Sequence, residues 1–444
     1  MPLASISKRL RAPLTIAAVL SCRSASAQDV AATVEEESPA PAVTATMSAL
    51  AFGVLSQVRD TPRNPDNAVG RLAFATVAAQ LRPEVRATLF SEKLRLIVRP
   101  RFWANLSDSY VRGGYQTSSI GAITVDALYA QIYLHPTLSV AYGRQTFEWG
   151  PAQFINASNR LFHINATQRT AVLSVIGKEL LRINWSYGTN ISAVLVAELR
   201  NNGEPIYGPL PFDKKALLKL EYASDSGADY IGVVGGSGTL TPPWLGLYAA
   251  TELENGFAFY TDTSLAFGSL ALHPVRSDDP TAPIKFSAIN DDPARPIILG
   301  ILGAKYTMLN GLQFGFEWII NTGGYNHSEM KDAFAAVRIP GSSASSLAAN
   351  QLALANPGLE VLGQQQLYFS LLGPRLNLGW ETNFSLGYLQ SLADGSGRAL
   401  LYVDASIGTQ TSVFLNVLLA HGPAYAEHAA YSYGNVLAGT RFSF

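Results

Sequence analysis

Apolar and polar residues alternate in short segments along most of this chain, and this alternation limits its fold more than any other feature. In residues 312–321, one face carries Leu312, Phe314, Phe316, Trp318 and Ile320, and the other carries Gln313, Gly315, Glu317 and Asn321. A period of two predicts β-strands with one apolar face and one polar face. The mean hydropathy is +0.13. Beyond the first residues, however, no apolar run approaches the roughly 20 residues of a transmembrane helix.

Alternation of this kind predicts a transmembrane antiparallel β-barrel. The bilayer core contains no water to bind free backbone groups, so a membrane-spanning sheet must close on itself. We therefore predict an all-β fold, a barrel of about 16 to 18 strands with long extracellular loops. Outer-membrane lipid and lipopolysaccharide would surround it.

The spacing of turns supports the barrel, because short and long connections alternate as periplasmic turns and extracellular loops do. Short turns are predicted at residues 135–136, 188–189, 225–227, 254–256, 310–311, 373–375 and 408–410. Long outer connections are predicted at residues 107–120, 149–177, 200–213, 273–296 and 321–363. The count from Leu94 onward is about sixteen strands, and a hairpin within residues 71–90 would make eighteen. Both numbers leave a channel, whereas barrels near eight strands are filled by side chains.

The two ends of the chain predict its location. Lys8, Arg9 and Arg11 precede an apolar run, and Ala25-Ser26-Ala27 follows, as in a secretory signal peptide of residues 1–27. A lipoprotein signal that leaves Cys22 lipidated is the alternative. The last strand ends at Phe444, and an aromatic C-terminus resembles the signal read by the barrel-insertion machinery. We expect a bacterial outer-membrane protein that a signal peptide directs across the inner membrane.

Residues 28–68 are predicted to be a periplasmic linker, because they contain an acidic run and a Pro-Ala stretch. Within them, residues 47–58 place Leu50, Val54 and Val58 in helical register, which predicts a short amphipathic helix or plug. The barrel domain is then expected at residues 69–444. In the long connection at 321–363, residues 330–337 and 346–355 have helical composition and are predicted to form an extracellular cap.

Charged residues on the predicted inward faces differ between the two halves of the barrel. The first half carries Arg95, Arg99, Arg101, Lys178, Arg182, Lys215 and Lys219, and the second carries Asp262, Glu317, Glu381 and Asp404. Closure would set a basic wall opposite an acidic wall, which favours a transverse field that acts on polar or zwitterionic solutes. The plainer interpretation, that any water-filled lumen has a charged lining, stays open.

Residues 142–151, YGRQTFEWGP, are the most distinctive local sequence. Gly143 and Gly150 bracket a strand end, and the loop 149–177 is long enough to enter the lumen as a constriction that includes Arg160. Arg144 and Glu148 are predicted to pair with rim or lumen groups and hold the loop. Counting the strand phase places Arg144 on the lipid side, so either a bulge turns it inward or it lies above the apolar band. The alternative is that these residues only hold the rim together.

The GRQ strand end that runs into Trp149-Gly150 and an Asn-rich loop resembles large outer-membrane porin families, including alginate-export-type barrels. Capsule-anchoring barrels show a looser version. The resemblance covers about twenty residues and implies a porin-like barrel with no particular substrate.

These features predict a porin for passive diffusion of small hydrophilic solutes. Export or surface attachment of a polysaccharide and transport of hydrophobic compounds are the alternatives. The six histidines are scattered and match no catalytic motif, so neither an enzyme nor a cofactor or metal is expected. Loss of Lys8, Arg9, Arg11 and Arg23 from 32 basic residues would leave 28 against 33 acidic ones, which does not suggest nucleic acid. A homo-oligomer and a monomer both remain open.

Overall fold

The computed structural model describes residues 43–444 apart from 62, 91, 163–171, 173–174, 201–212, 280–283, 291, 338–343, 356, 378–379 and 425. The predicted signal peptide and Cys22 lie outside the described residues, so that part of the prediction stays a prediction.

Within the described residues, eighteen antiparallel strands close into one barrel, and β1 pairs with both β2 and β20 to complete the ring. The first nine are β1 (Val43–Val58), β2 (Ala73–Leu89), β3 (Leu94–Val111), β4 (Gly114–His135), β5 (Leu138–Gln145), β6 (Lys178–Tyr187), β7 (Ile191–Arg200), β8 (Lys215–Ala223) and β9 (Tyr230–Gly238). The others are β10 (Trp244–Glu252), β11 (Phe257–Phe267), β14 (Pro296–Thr307), β15 (Gln313–Asn321), β16 (Gln365–Asn377), β17 (Glu381–Ser391), β18 (Gly397–Ser406), β19 (Thr411–His421) and β20 (Ser432–Ser443). A separate hairpin consists of β12 (Ser269–Val275) and β13 (Lys285–Asn290).

The predicted barrel is confirmed with the larger strand number, but its first two strands differ from the prediction. Sixteen strands follow Leu94, and β1 and β2 supply the remaining two instead of a hairpin within residues 71–90. The predicted helix at residues 47–58 is wrong, because these residues belong to β1, and the barrel starts at Val43. A spacing of four, as in Leu50, Val54 and Val58, fits a strand period of two as well as a helix. Without β1, one edge of β2 and one edge of β20 would have unpaired backbone N–H and C=O groups. β1 pairs with both edges and closes the barrel.

The outward face of the barrel is apolar and the inward face is covered or polar, as the alternation predicted. In β15, Phe314, Phe316 and Trp318 are 44%, 39% and 37% exposed, whereas Glu317 between them is fully buried. Among the described residues, no helix is long and apolar enough to cross a membrane.

Two predicted connections are strands. Residues 107–120 are the upper part of the β3–β4 hairpin, which turns only after Val111. The predicted turn at 373–375 lies inside β16, where the register shifts between Gly373 and Leu376. Gly373-Pro374 has the composition of a turn, but a proline also fits a bulge because it lacks the N–H that a regular ladder needs.

The described part of the longest outer connection forms a cap, in agreement with its two predicted helices. α1 (His327–Ala336) begins with a capping box between Asn326 and Glu329, and α2 (Ala344–Ala355) follows. His273 Nδ1 in β12 lies 3.0 Å from Glu329 Oε1, which links the β12–β13 hairpin to α1. The cap therefore rests on the outer rim at one side of the barrel.

Candidate channel constriction

The described part of the connection between β5 and β6, residues 146–162, 172 and 175–177, lies inside the barrel and is called the inward loop below. Two glycines of the YGRQTFEWGP segment make its path possible. Gly143 has φ +125°, and a Cβ there would lie 2.3 Å from the carbonyl oxygen of Leu128. Gly150 has φ +94°, and a Cβ there would lie 2.1 Å from Asp262 Oδ2. Any side chain at either position would collide with the wall.

Two buried carboxylates of the barrel wall hold the inward loop. Asp262 in β11 accepts a hydrogen bond of 2.6 Å from the Ser158 N–H. Glu317 in β15 accepts from the N–H groups of Gln153 and Phe154, the latter at 2.9 Å. Both carboxylates are fully buried. They were predicted to line the channel as an acidic wall, but they bind the loop backbone instead. This arrangement satisfies loop N–H groups that have no strand partner.

The loop also packs against an apolar part of the inner wall. Trp149 and Phe162 belong to one cluster with Leu217 and Trp244, which point inward from β8 and β10. Phe154 packs on Tyr368 of β16, with ring centroids 5.3 Å apart. In a water-filled lumen without such a loop, these inward positions would be polar. They are apolar here because the loop covers them and keeps them from water.

The loop reaches a second wall that is rich in arginine. Val172 packs against Leu50 and Phe414, and its carbonyl oxygen accepts a hydrogen bond from Arg82. Arg101 and Arg441 are electrostatic neighbours of Arg82. The loop therefore contacts both the wall of β11 and β15 and the wall that contains β1, β2 and β19.

Most charges on this second wall have a partner of opposite sign. The distances are 3.3 Å between Arg101 and Asp126, 3.0 Å between Arg441 and Asp404, and 2.7 Å between Arg99 and Glu84. Sequence reasoning placed Arg99, Arg101 and Asp404 inside but missed Arg82 and Glu84. The alternation Gln80, Arg82, Glu84, Arg86 was the available signal, and it was missed because the choice between no strand and a hairpin at residues 71–90 stayed open and no faces were assigned there.

The other predicted basic residues lie on the inner wall with nearby aromatic or polar groups. Arg95 lies 5.9 Å from the Tyr133 ring, and Arg182 lies 5.2 Å from the Phe147 ring. Lys215 Nζ donates to the carbonyl oxygen of Arg160 in the inward loop at 3.3 Å, and Lys219 Nζ lies 3.0 Å from Glu221 Oε2. Lys215 thus also fastens the loop.

Three predicted site residues lie outside or at the edge of this arrangement. Arg144 is opposite Leu128 and Glu179 in the sheet register, on the outward face, so the phase count was right and its predicted inward position is wrong. Its guanidinium donates to the Val125 carbonyl oxygen at 2.9 Å. Glu148 is exposed at the start of the inward loop. Glu381 begins β17 on the same face as Asn383, which is opposite Asp404.

Asp213 organises the outer rim at the connection between β9 and β10. Its carboxylate accepts hydrogen bonds from the Leu240 N–H at 2.7 Å, the Thr241 N–H at 2.9 Å, and the hydroxyls of Thr239 and Thr241. Burial alone would raise the pKa of Asp213, but these hydrogen bonds outweigh it and lower the pKa. Among the described residues, no group of His, Asp, Glu or Cys side chains has the arrangement of a metal site.

No protein-family profile matches the chain, and no curated protein matches it. Its fold is similar to solved outer-membrane porins and channels. Pseudomonas aeruginosa OccK5 (OpdH) has a TM-score of 0.51 at 9% identity, over 90% of this chain and 98% of that chain. Pseudomonas aeruginosa OccD3 (OpdP) has 0.50 at 8% identity over 90% and 91%, and Acinetobacter baumannii OccAB1 has 0.50 at 9% over 90% and 96%. At these identities the likeness shows a shared barrel fold.

Proposed function

We propose that this protein is an outer-membrane pore for passive diffusion of small hydrophilic solutes. The observation that carries the proposal is an eighteen-stranded barrel whose inward loop is held in the lumen by Asp262 and Glu317. Barrels of this strand number enclose more space than their own side chains fill, and the loop reduces that space to a constriction. Diffusion needs no catalytic group, so the proposal includes no enzymatic activity.

An outer-membrane location follows from the barrel itself. Its outward face is apolar, its backbone groups pair around a closed ring, and its charges point inward or lie at the rims. We propose outer-membrane lipid and lipopolysaccharide as its surroundings and the barrel-insertion machinery as its partner in biogenesis.

The proposed channel lining combines charges from both halves of the barrel. It consists of Arg95, Arg99, Arg101, Arg182, Lys215, Lys219, Glu381 and Asp404, together with Glu148 and Arg160 of the loop. Asp262 and Glu317 bind the backbone of the inward loop and are not part of this lining, so the predicted acidic wall is weaker than the basic wall. Arg101 and Arg441 pair with Asp126 and Asp404, and Arg82 beside them leaves this group of five side chains with a net positive charge that attracts anions. The lining therefore favours small anions over small cations.

Conductance of the purified, refolded protein in a planar bilayer tests this function. We expect stepwise openings, an anion preference in a potassium chloride gradient, and a weaker preference in the Arg82→Gln, Arg101→Gln double variant. Arg144→Gln is the matched control because Arg144 lies on the outward face. Absence of stepwise conductance in every preparation with a correctly folded barrel would refute the pore.

Export or surface attachment of a polysaccharide is the second candidate. It is supported by the GRQ and WG residues, which resemble those of alginate-export-type barrels. In this chain Gly143 lies near the end of β5 and Gly150 lies in the inward loop. Loss of a surface polymer in a deletion strain, with unchanged uptake of small solutes, would favour it. The charged residues of the lumen argue against transport of hydrophobic compounds.

A further inference from the structure

A hollow of about 150 Å³ opens in the lumen between the inward loop and the strands β16 to β19. Its floor is a row of directly opposed residues on four neighbouring strands. Leu372 faces Ser385, Ser385 faces Tyr402, and Tyr402 faces Asn416. Gln153 of the inward loop covers one side. The hollow is therefore built jointly by the wall and the constriction.

Gly387 keeps this hollow open. It lines the floor between Tyr368 and Leu400, and a Cβ at this position would lie 2.8 Å from the Tyr368 hydroxyl oxygen and 3.0 Å from its ring. A larger residue would push the Tyr368 ring and fill the space. The tyrosine keeps its place against Phe154 of the loop because residue 387 has no side chain.

The lining of the hollow is uncharged, in contrast to the rest of the lumen. Its described lining residues are tyrosine, leucine, glycine, serine, asparagine and glutamine. Two acids beside it already have partners, since Asp404 bonds Arg441 and the hydroxyl of the lining residue Tyr402, and Glu317 bonds the loop backbone. An ion that entered would lose hydration and find no free counter-charge, whereas a neutral solute would not incur that cost.

The polar groups of the hollow lie on its floor and on the side that the inward loop covers. The amide oxygen of Gln153 accepts from the Ser370 hydroxyl, so its amide nitrogen is the group that can donate into the hollow. Asn416 and Ser385 offer further donors and acceptors across the floor, and Leu400 and the Tyr402 ring offer an apolar surface. An apolar surface with a few polar groups is the usual composition of a small-molecule site.

We propose that this hollow is a solute-binding site in the channel for an uncharged, ring-shaped molecule with polar substituents. The ring lies on Leu400 and Tyr402, and its substituents bond Asn416, Ser385 and Gln153. The site rests on the proposed pore function and narrows its substrate class. Because the Gln153 N–H also bonds Glu317, a bound solute contacts the loop next to one of its anchors.

The test uses a neutral probe and its charged isostere, 4-hydroxybenzamide and 4-hydroxybenzoate, added to single channels of the full-length protein. We expect 4-hydroxybenzamide to cause brief blockades of the wild type at millimolar concentration. Ser385→Leu, which fills the hollow, should raise the half-blocking concentration at least about tenfold. Ser192→Leu is the matched control, since Ser192 faces Glu221 on the inner side of β7, away from the hollow.

A second variant protects the test against misfolding. Asn416→Leu keeps the approximate volume, removes one polar group, and should also weaken the blockade. Equal blockade of wild type, Ser385→Leu and Asn416→Leu by 4-hydroxybenzamide would overturn the site. It would also be overturned if Ser385→Leu weakened the blockade by 4-hydroxybenzoate to the same extent as the blockade by 4-hydroxybenzamide. If neither the wild type nor any variant conducts, the pore proposal fails. Calorimetry then decides the site, which requires that 4-hydroxybenzamide binds to the folded wild type but not to Ser385→Leu.

Discussion

Replacement of Glu317 by glutamine should release the inward loop from the barrel wall. The carboxylate accepts two loop N–H groups and, at 3.0 Å, the Tyr260 hydroxyl, all in a fully buried position. A glutamine of the same size would turn one amide nitrogen towards an N–H donor. The barrel strands on either side remain paired, so the effect is expected in the loop and not in the barrel.

The magnitude follows from the two loop bonds. A hydrogen bond to a charged group contributes about 1.5 to 3 kcal/mol and a neutral one about 1 kcal/mol, so loss of one bond and of the charge at the other should destabilise the docked loop by about 2 to 5 kcal/mol. Because 1.4 kcal/mol corresponds to a factor of ten, the detached population should rise at least about 20-fold. A detached loop widens the constriction and moves within it.

Single-channel recording measures both consequences. We expect the Glu317→Gln channel to show a larger mean conductance and more open-channel noise than the wild type. Glu198→Gln is the control, since Glu198 is also buried but bonds Lys178 on the neighbouring strand at 3.1 Å. Identical conductance and noise in Glu317→Gln and wild type would refute the role of this carboxylate as a loop anchor.

Three further predictions concern the loop and the rim. Gly143→Ala should sharply lower the yield of refolded barrel on unboiled gels, because its Cβ meets the wall, whereas Gly188→Ala, with φ +60° and nothing within 4 Å, should refold nearly normally. Trp149→Ala should remove about 3 to 5 kcal/mol of packing from the docked loop and increase its proteolysis in the folded barrel; an unchanged cleavage rate would contradict its anchoring role. The pKa of Asp213 is lowered in the fold, so its stabilising effect is present above the unfolded pKa and is lost as the pH falls through the folded pKa. Protease cleavage at residues 239–243 should therefore rise on acidification, and Asp213→Asn should cleave readily at neutral pH with little further change in acid.

Local pattern was sufficient for the strands and for most of their faces. The faces of β15 were assigned correctly because alternation along a strand depends only on neighbouring residues. The same logic counted sixteen strands from Leu94. It failed at β1, where a spacing of four residues fits a helix and a strand equally, and the need to close the ring decided between them.

The roles of inward residues depended on contacts that no local pattern contains. Alternation placed Asp262 and Glu317 inside, yet they lie under a loop whose bonding residues are 104 and 163 residues away in the chain. The hollow at Ser385 and Tyr402 likewise depends on three things that are distant in the sequence: the register of the strands, the absence of a side chain at Gly387, and the position of Gln153 in the inward loop.

By itself, the sequence determined a barrel, its approximate strand number and which side of each strand avoids lipid. The tertiary structure alone decided which inward residues meet water, because the inward loop covers part of the wall and exposes the rest. The lipid is a uniform apolar solvent, so whether an outward residue fits it depends on that residue alone. The lumen is divided by long-range packing, so each inward side chain takes its role from whatever the loop brings against it.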